Sequence, residues 1–369
     1  MAPCAATALL PRLRQIRQAS EALIAGLEPE DLCLQGMADA SPAKWHLGHT
    51  TWFFETFVLE RAIEGYERFH DRYRYLFNSY YYSAGQMHAR PRRGLLSRPT
   101  LAEILDYRAH VDAAMEKLIE KSGDDPDIAF RVVLGINHEQ QHQELFLTDI
   151  KHVLSCNPLQ PAYDDNLRRP EPGAAPAMKF NAGPAGIHQV GATGDGFCFD
   201  NETPRHDTLL HPHSLGNRLV TNGEFREFID AGGYENSDLW LSDGWAAINE
   251  RGWNRPLYWD EGLDSEFTLA GVRDIDPAAP VAHSYTASSS AAWGRSTSST
   301  APSRSQKPCA NASANASSRQ DGTSCPNCSL VRGCSPMPRR SACTTSRRSR
   351  SISPTWQTMP SSPTSSTCP

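Results

Sequence analysis

The sequence predicts a multidomain α and α+β chain: a four-helix bundle, then a small irregular α+β domain, then a tail without a core. Three observations carry that prediction. Residues 1–155 hold four long stretches with apolar residues at helical spacing. From Phe180 the pattern breaks into short segments punctuated by Gly and Asn. From residue 284 onward there are 34 Ser and Thr and nine Pro in 86 positions, with Leu330, Val331 and Ile352 as the only branched aliphatics. At roughly 150 residues per domain, a chain of 369 residues suits two domains and a remainder.

The first helix, about 8–27, places Leu9, Leu13, Ile16, Leu23, Ile24 and Leu27 on one face. The second opens at Ser41-Pro42, an N-cap followed by proline at the first helical position, and runs to about Ile63. Thr100 and Glu103 make a capping box for the third, which continues through Ile104, Val111, Met115 and Leu118 to Gly123. The fourth spans about Pro126 to Ser155. Four amphipathic helices of this length form a bundle. The aromatic and basic connection at 64–99 is too long for a plain linker and reads as an ordered, functional loop. Residues 156–178, rich in Pro, read as an interdomain linker. The second domain is expected at 179–283, with one helix from Asn222 to Ala231 and a core of Trp240, Trp245, Trp253, Tyr258 and Trp259. Residues 284–369 cannot offset the entropy of folding and are expected to be disordered, the product of an out-of-frame extension.

Charge narrows the function. Ten of the 36 basic residues and one of the 42 acids fall in 284–369, which leaves residues 1–283 at −15. An acidic body excludes general nucleic-acid binding. The sequence has no apolar run of 18 residues, so no membrane span is expected, and the N-terminus is a poor signal peptide. Only Cys4, Cys33, Cys156 and Cys198 belong to the body, the scatter of a reduced cytoplasmic protein. Cys325 and Cys328 have knuckle spacing without a second pair.

The fourth helix carries His138-Glu-Gln-Gln-His142. Imidazoles at i and i+4 sit about 6 Å apart on one face and can close on one metal. They fall on a stripe of Gly135, His138, His142, Leu145, Asp149 and His152, and the second helix offers a matching stripe of Trp45, His49, Trp52, Thr56, Leu59 and Ile63. Three histidines thus face one bundle interior, where helical bundles build metal sites. His46 lies about 60° round the helix from His49, and periodicity alone leaves it a competitor. Three neutral imidazoles suit Zn, Fe(II) or Ni alike. The string also matches the zinc-peptidase motif in which Glu is the general base, a short pattern that arises easily by chance.

Ser41-Pro-Ala-Lys-Trp-His-Leu-Gly-His49-Thr-Thr-Trp-Phe-Phe-Glu55, the His138–Glu144 string and Val220-Thr-Asn-Gly-Glu-Phe-Arg-Glu-Phe-Ile-Asp-Ala-Gly-Gly-Tyr234 together resemble the EgtB family, the sulfoxide synthases of ergothioneine biosynthesis. The resemblance covers about residues 10–283. It implies a DinB-like four-helix bundle joined to a formylglycine-generating-enzyme-like, C-type-lectin-related domain. It further implies a nonheme Fe(II) held by His49, His138 and His142. The family reaction is O2-dependent: the imidazole of hercynine is joined to a thiol, γ-glutamylcysteine or cysteine. Gln141 resembles the family's hercynine-contacting glutamine, and Arg90 and Arg93 resemble its pair for substrate carboxylates, which a guanidinium fork suits. Tyr81 and Tyr82 lie where some members take an active-site phenol.

The family's second domain continues well past the point where its likeness stops here, near His283. The second domain is therefore expected to be incomplete and loosely packed, and this form of the chain catalytically crippled. A DinB-type metal-dependent thiol transferase or hydrolase using the same histidines is the alternative enzyme reading. A non-catalytic metal-binding remnant is the other. An ovothiol-type relative acting on histidine itself is a close competitor within the first class. The thiol donor and oligomeric state are not encoded in any motif.

Overall fold

A computed structural model describes residues 6–169 and 173–282. The sequence-based expectations for the tail, including Cys325 and Cys328, lie outside the described residues. The helices of the bundle are α1 (Ala6–Ala22), α2 (Ala43–Phe54), α5 (Leu101–Ser122) and α6 (Pro126–Ser155). Both α1 and α2 pack on α5 and α6. Local chemistry sets several ends. Thr100 Oγ1 accepts from the Glu103 N–H while the Glu103 carboxylate takes the Thr100 N–H, the reciprocal box that starts α5. Asp125 accepts from the backbone of Asp127 and Ile128, with Pro126 in the first turn of α6. The Ser41 cap expected for α2 does not form: Pro42 takes the N-cap position without a side-chain bond, and Ser41 is engaged elsewhere.

All twelve residues of α2 are buried. Amphipathicity predicts a solvent face, but the connection at 64–99 folds back over it. That loop carries α4 (Tyr73–Leu76) and two short 3-10 turns, Tyr82–Ala84 and Arg90–Leu95. It contributes Tyr73, Phe77 and Ala84 to the bundle core. Glu55 ties it down: its carboxylate accepts from Tyr107 Oη at 2.6 Å and from the Phe69 N–H at 3.0 Å. From Glu55 to Leu59 the helix widens into π geometry before α3 (Glu60–Ala62) ends it.

A buried ionic cluster joins all four bundle helices. Arg17 donates to Asp112, Glu139 and Thr51, and Arg108 and Ser20 both donate to the same Glu139 carboxylate. Burial alone would raise the Glu139 pKa, but Arg17 and Arg108 hold it below the ordinary carboxylate range.

The second part contains three antiparallel two-stranded ribbons. These are β1 (Phe180–Ala182) with β4 (Ser214–Gly216), β2 (Gly186–Val190) with β3 (His206–Leu210), and β5 (Ser265–Thr268) with β6 (Gly271–Asp274). Helix α7 (Asn222–Asp230) has its own capping box, Thr221 with Glu224. A second helix, α8 (Ser242–Arg251), stands where turns are expected from sequence. Phe225, Phe228, Trp240 and Ile248 form a small separate core. The β1–β4 and β2–β3 ribbons leave Phe180, Ile187, Leu209 and Leu215 exposed.

The hairpin β5–β6 sits with the bundle. Phe267 is part of the bundle core. The Leu269 carbonyl accepts from the N–H groups of Tyr163 and Asp164, and Tyr163 Oη donates to the Leu23 carbonyl at 2.6 Å. Arg169 bonds Glu266 and the Asp274 carbonyl, while Trp259 forms a bridge to Glu266. Residues 163–169, expected within a plain linker, are thus anchored on both sides. Among the described residues, no helix is long and apolar enough to cross a membrane.

Candidate metal centre

His49 comes from α2, and His138 and His142 come from α6 one turn apart. One potential ligand nitrogen from each lies within 4.8 Å of the others. The ring centroids are 5.0 Å (His49–His138), 4.6 Å (His49–His142) and 4.6 Å (His138–His142) apart. The inward stripes read from sequence hold through the histidines and then drift, because 3.6 residues per turn does not keep an even 3-4 alternation in phase. On α6 the buried positions after His142 are Phe146, Ile150, Val153 and Leu154, while Leu145, expected inside, is 43% exposed.

Hydrogen bonding leaves ligand lone pairs available. His49 Nδ1 is 2.5 Å from the Phe77 carbonyl, which can only accept. Nδ1 therefore carries the proton, and Nε2 is bare. His142 Nδ1 meets His46 Nδ1 at 2.9 Å. His138 Nδ1 is buried with no hydrogen-bond partner. Burial pushes His138 down to about 4, and burial reinforced by the neighbouring imidazoles holds His49 and His142 well below their ordinary range. Three neutral imidazoles converge, one with an orphaned buried nitrogen, and the donor set fits a divalent metal.

Aromatic rings wall the site. Trp45 stacks on His49 at 4.6 Å and 12°, and Phe53 lies 4.6 Å from His138. Trp52 is 5.4 Å from His49, and Tyr81 is 6.5 Å from it. Burial pushes the Tyr81 phenol up to about 12, with Asp200 adding to the shift, so the phenol keeps its proton at neutral pH. Tyr82, its neighbour in sequence, is 81% exposed.

Arg93 is 2% exposed. Its Cζ sits 3.4 Å from the centroid of Trp45, Nη1 donates to Ser41 Oγ at 2.9 Å, and Nε has no partner. It forms no ion pair among the described residues. Burial, with Arg90 adding its charge, lowers it to about 9. Arg90 is half-buried, stacked over Tyr80 at 4.9 Å, and donates to the Asp39 carbonyl. Tyr80 itself has φ +58°, a backbone cost normally met only where surroundings enforce it. Gln141 is exposed on the α6 turn between His138 and His142. Glu139, the base in the zinc-peptidase reading, has both oxygens bound by Arg17, Arg108 and Ser20, which excludes that role. His46 stays outside the three-histidine group, and its pairing with His142 and Asp149 is not visible in any motif.

Comparison with known proteins agrees with this architecture. Residues 12–146 match the DinB superfamily model. Residues 173–316 match the sulfatase-modifying factor enzyme 1-like domain, a match that continues past the described residues. The chain is similar to the hercynine oxygenase of Mycolicibacterium smegmatis, 34% identical over 193 residues that cover 51% of this chain and 43% of the relative. For the hercynine oxygenase of Mycolicibacterium thermoresistibile the figures are 30% over 210 residues, 55% and 46%. For that of Mycobacterium tuberculosis they are 28% over 278 residues, 71% and 60%. The chain therefore spans about half the length of the curated relatives it matches.

Proposed function

We propose that the chain is an EgtB-type nonheme Fe(II) sulfoxide synthase of the cytoplasm, a reading supported by its DinB and sulfatase-modifying-factor-like matches and by its similarity to hercynine oxygenases. Its substrates are hercynine, O2 and a cysteine-containing thiol, γ-glutamylcysteine or cysteine. The observation that carries this reading is the convergence of His49, His138 and His142, all neutral and with ligand atoms within 4.8 Å of one another. Fe(II) held by these three imidazoles would supply O2 activation, and a neutral donor set would suit an anionic thiolate substrate.

The chain's own residues do the rest. Arg93, buried beside Trp45 and lacking a carboxylate, binds the carboxylate of the thiol, and Arg90 supports it from the half-buried rim. Gln141 contacts hercynine from the exposed turn between the two α6 ligands. Tyr81, next to His49 and Trp52, holds a proton at Oη for delivery; Tyr82, exposed, is the weaker candidate. Trp45, Trp52 and Phe53 keep bulk water from the ligands. A DinB-type thiol transferase would use the same histidines, but it leaves the second domain without a role.

The test is anaerobic Fe(II) titration of the wild type and of His49→Ala, His138→Ala and His142→Ala, followed by O2 uptake with hercynine and each thiol. Near-stoichiometric iron in the His49→Ala and His142→Ala proteins would overturn the assignment. Thiol turnover without O2 uptake would favour the transferase.

A further inference from the structure

His142 is the one member of the centre whose outer nitrogen meets another imidazole. His46, three residues before His49 on α2 and 5% exposed, places Nδ1 2.9 Å from His142 Nδ1. Its other nitrogen, Nε2, lies 3.1 Å from Asp149 Oδ2, and the same oxygen accepts the Ser41 N–H at 2.8 Å. Ser41 in turn is held by Arg93, which donates to its hydroxyl.

Proton counting orders these contacts. A carboxylate only accepts, so the single proton of a neutral His46 sits on Nε2. His46 Nδ1 is then a lone pair, and the bond between the rings needs a proton on His142 Nδ1. A neutral imidazole has one N–H, so His142 Nε2 is left bare. We propose that the Ser41–Asp149–His46 array is a positioning device that locks His142 in its Nδ1–H tautomer and presents Nε2 to the metal. The proposal rests on the metal reading above. Metal-bound histidines commonly donate their second nitrogen to a carboxylate or carbonyl, as His49 does to Phe77. Here an imidazole, itself oriented by a carboxylate, takes that place. The array also brings the N-terminal end of α2 and the last third of α6 to the same ring.

The experiment uses the full chain labelled with 15N-histidine and stripped of metal, read by long-range 1H–15N correlation, with anaerobic Fe(II) titration in parallel. In the wild type, His142 should carry its proton on Nδ1 and His46 on Nε2. Asp149→Ala removes the acceptor, so His142 should populate both tautomers and Fe(II) affinity should fall by about 10- to 100-fold. His46→Phe should fall likewise. His46→Gln can turn its amide N–H to Asp149 and its carbonyl to His142, and should stay within about threefold of wild type. A wild-type His142 protonated on Nε2, or an Asp149→Ala protein with undiminished affinity, would overturn the device. A wild type with the expected tautomers but no Fe(II) binding would refute the metal assignment instead, and leave the tautomer lock standing.

Discussion

Arg93 takes a guanidinium into the interior beside a tryptophan face, with one hydrogen bond to a hydroxyl and one unmet N–H. A buried cation ordinarily pairs with an anion, and in the proposed function the carboxylate of the thiol supplies one. A charge-assisted carboxylate pair contributes about 1.5–3 kcal/mol, so Arg93→Ala should weaken binding of the thiol by about ten- to a hundredfold. Arg93→Lys should not restore it, because an ammonium lacks the fork; equilibrium binding of γ-glutamylcysteine and of cysteine reads both variants. Arg90→Ala, at a half-buried position, should cost less. Period and spacing bring His138, His142 and a histidine of α2 to one interior but leave His46 a competitor of His49; what the sequence does not display is the pairing of His46 with Asp149, 103 residues away. Tyr81 and Tyr82 were equally eligible on paper, and only the fold of the loop separates them, burying one against Trp52 and turning the other to water.

Helix α6 serves two purposes on neighbouring residues: His138 faces the metal centre, while Glu139 closes the ionic cluster with Arg17 and Arg108. Glu139→Gln leaves two guanidiniums short of a countercharge and should cost about 3–5 kcal/mol at neutral pH, measured by denaturant unfolding. The pH dependence has a definite sign. The folded-state pKa of Glu139 is depressed, so its stabilisation is complete above the unfolded value of about 4.3 and is lost as pH falls through the folded one. The gap between wild type and Glu139→Gln should therefore narrow only in acid, below about pH 4. Packing is as tight: a Cβ on Gly135 would run into the Phe54 ring. Gly135→Ala should destabilise by about 1–3 kcal/mol, with Fe(II) affinity falling as α2 and α6 are forced apart. Elements whose ends are set by local chemistry, α5 and α6, were legible nearly to the residue. The full burial of α2 was not, because what covers it is a loop that no periodicity describes. Helix α8 escaped because Trp245 and Ile248 give it only a thin apolar repeat.

At the scale of the whole molecule, the two-part order legible in the sequence is that of the two family matches, but the segment between them is not the plain spacer its composition suggests. Proline content marked 156–178 as a spacer, yet Tyr163 is hydrogen-bonded to Leu23 on one side and Leu269 on the other, contacts set by tertiary placement. Arg169 and Trp259 both lie against Glu266, so the chain leaves the bundle and returns to it at adjoining points. The intervening stretch thus has the topology of an insertion in a host. Its removal needs only a short bridge: six residues of Gly and Ser reach about 20 Å when extended, ample for two positions that meet the same residue, Arg169 through its guanidinium and Trp259 through its backbone. A shortened chain in which such a bridge replaces residues 173–256 should fold with Phe267 of the β5–β6 hairpin still in the bundle core, and bind Fe(II) within about threefold of the parent, while losing turnover. Anaerobic metal titration with far-UV circular dichroism would check it, and a shortened chain that precipitates or binds no iron would show that the bundle depends on its guest. A bundle whose points of departure and return adjoin can lose or exchange the stretch between them without disturbing the helices that carry its three histidines.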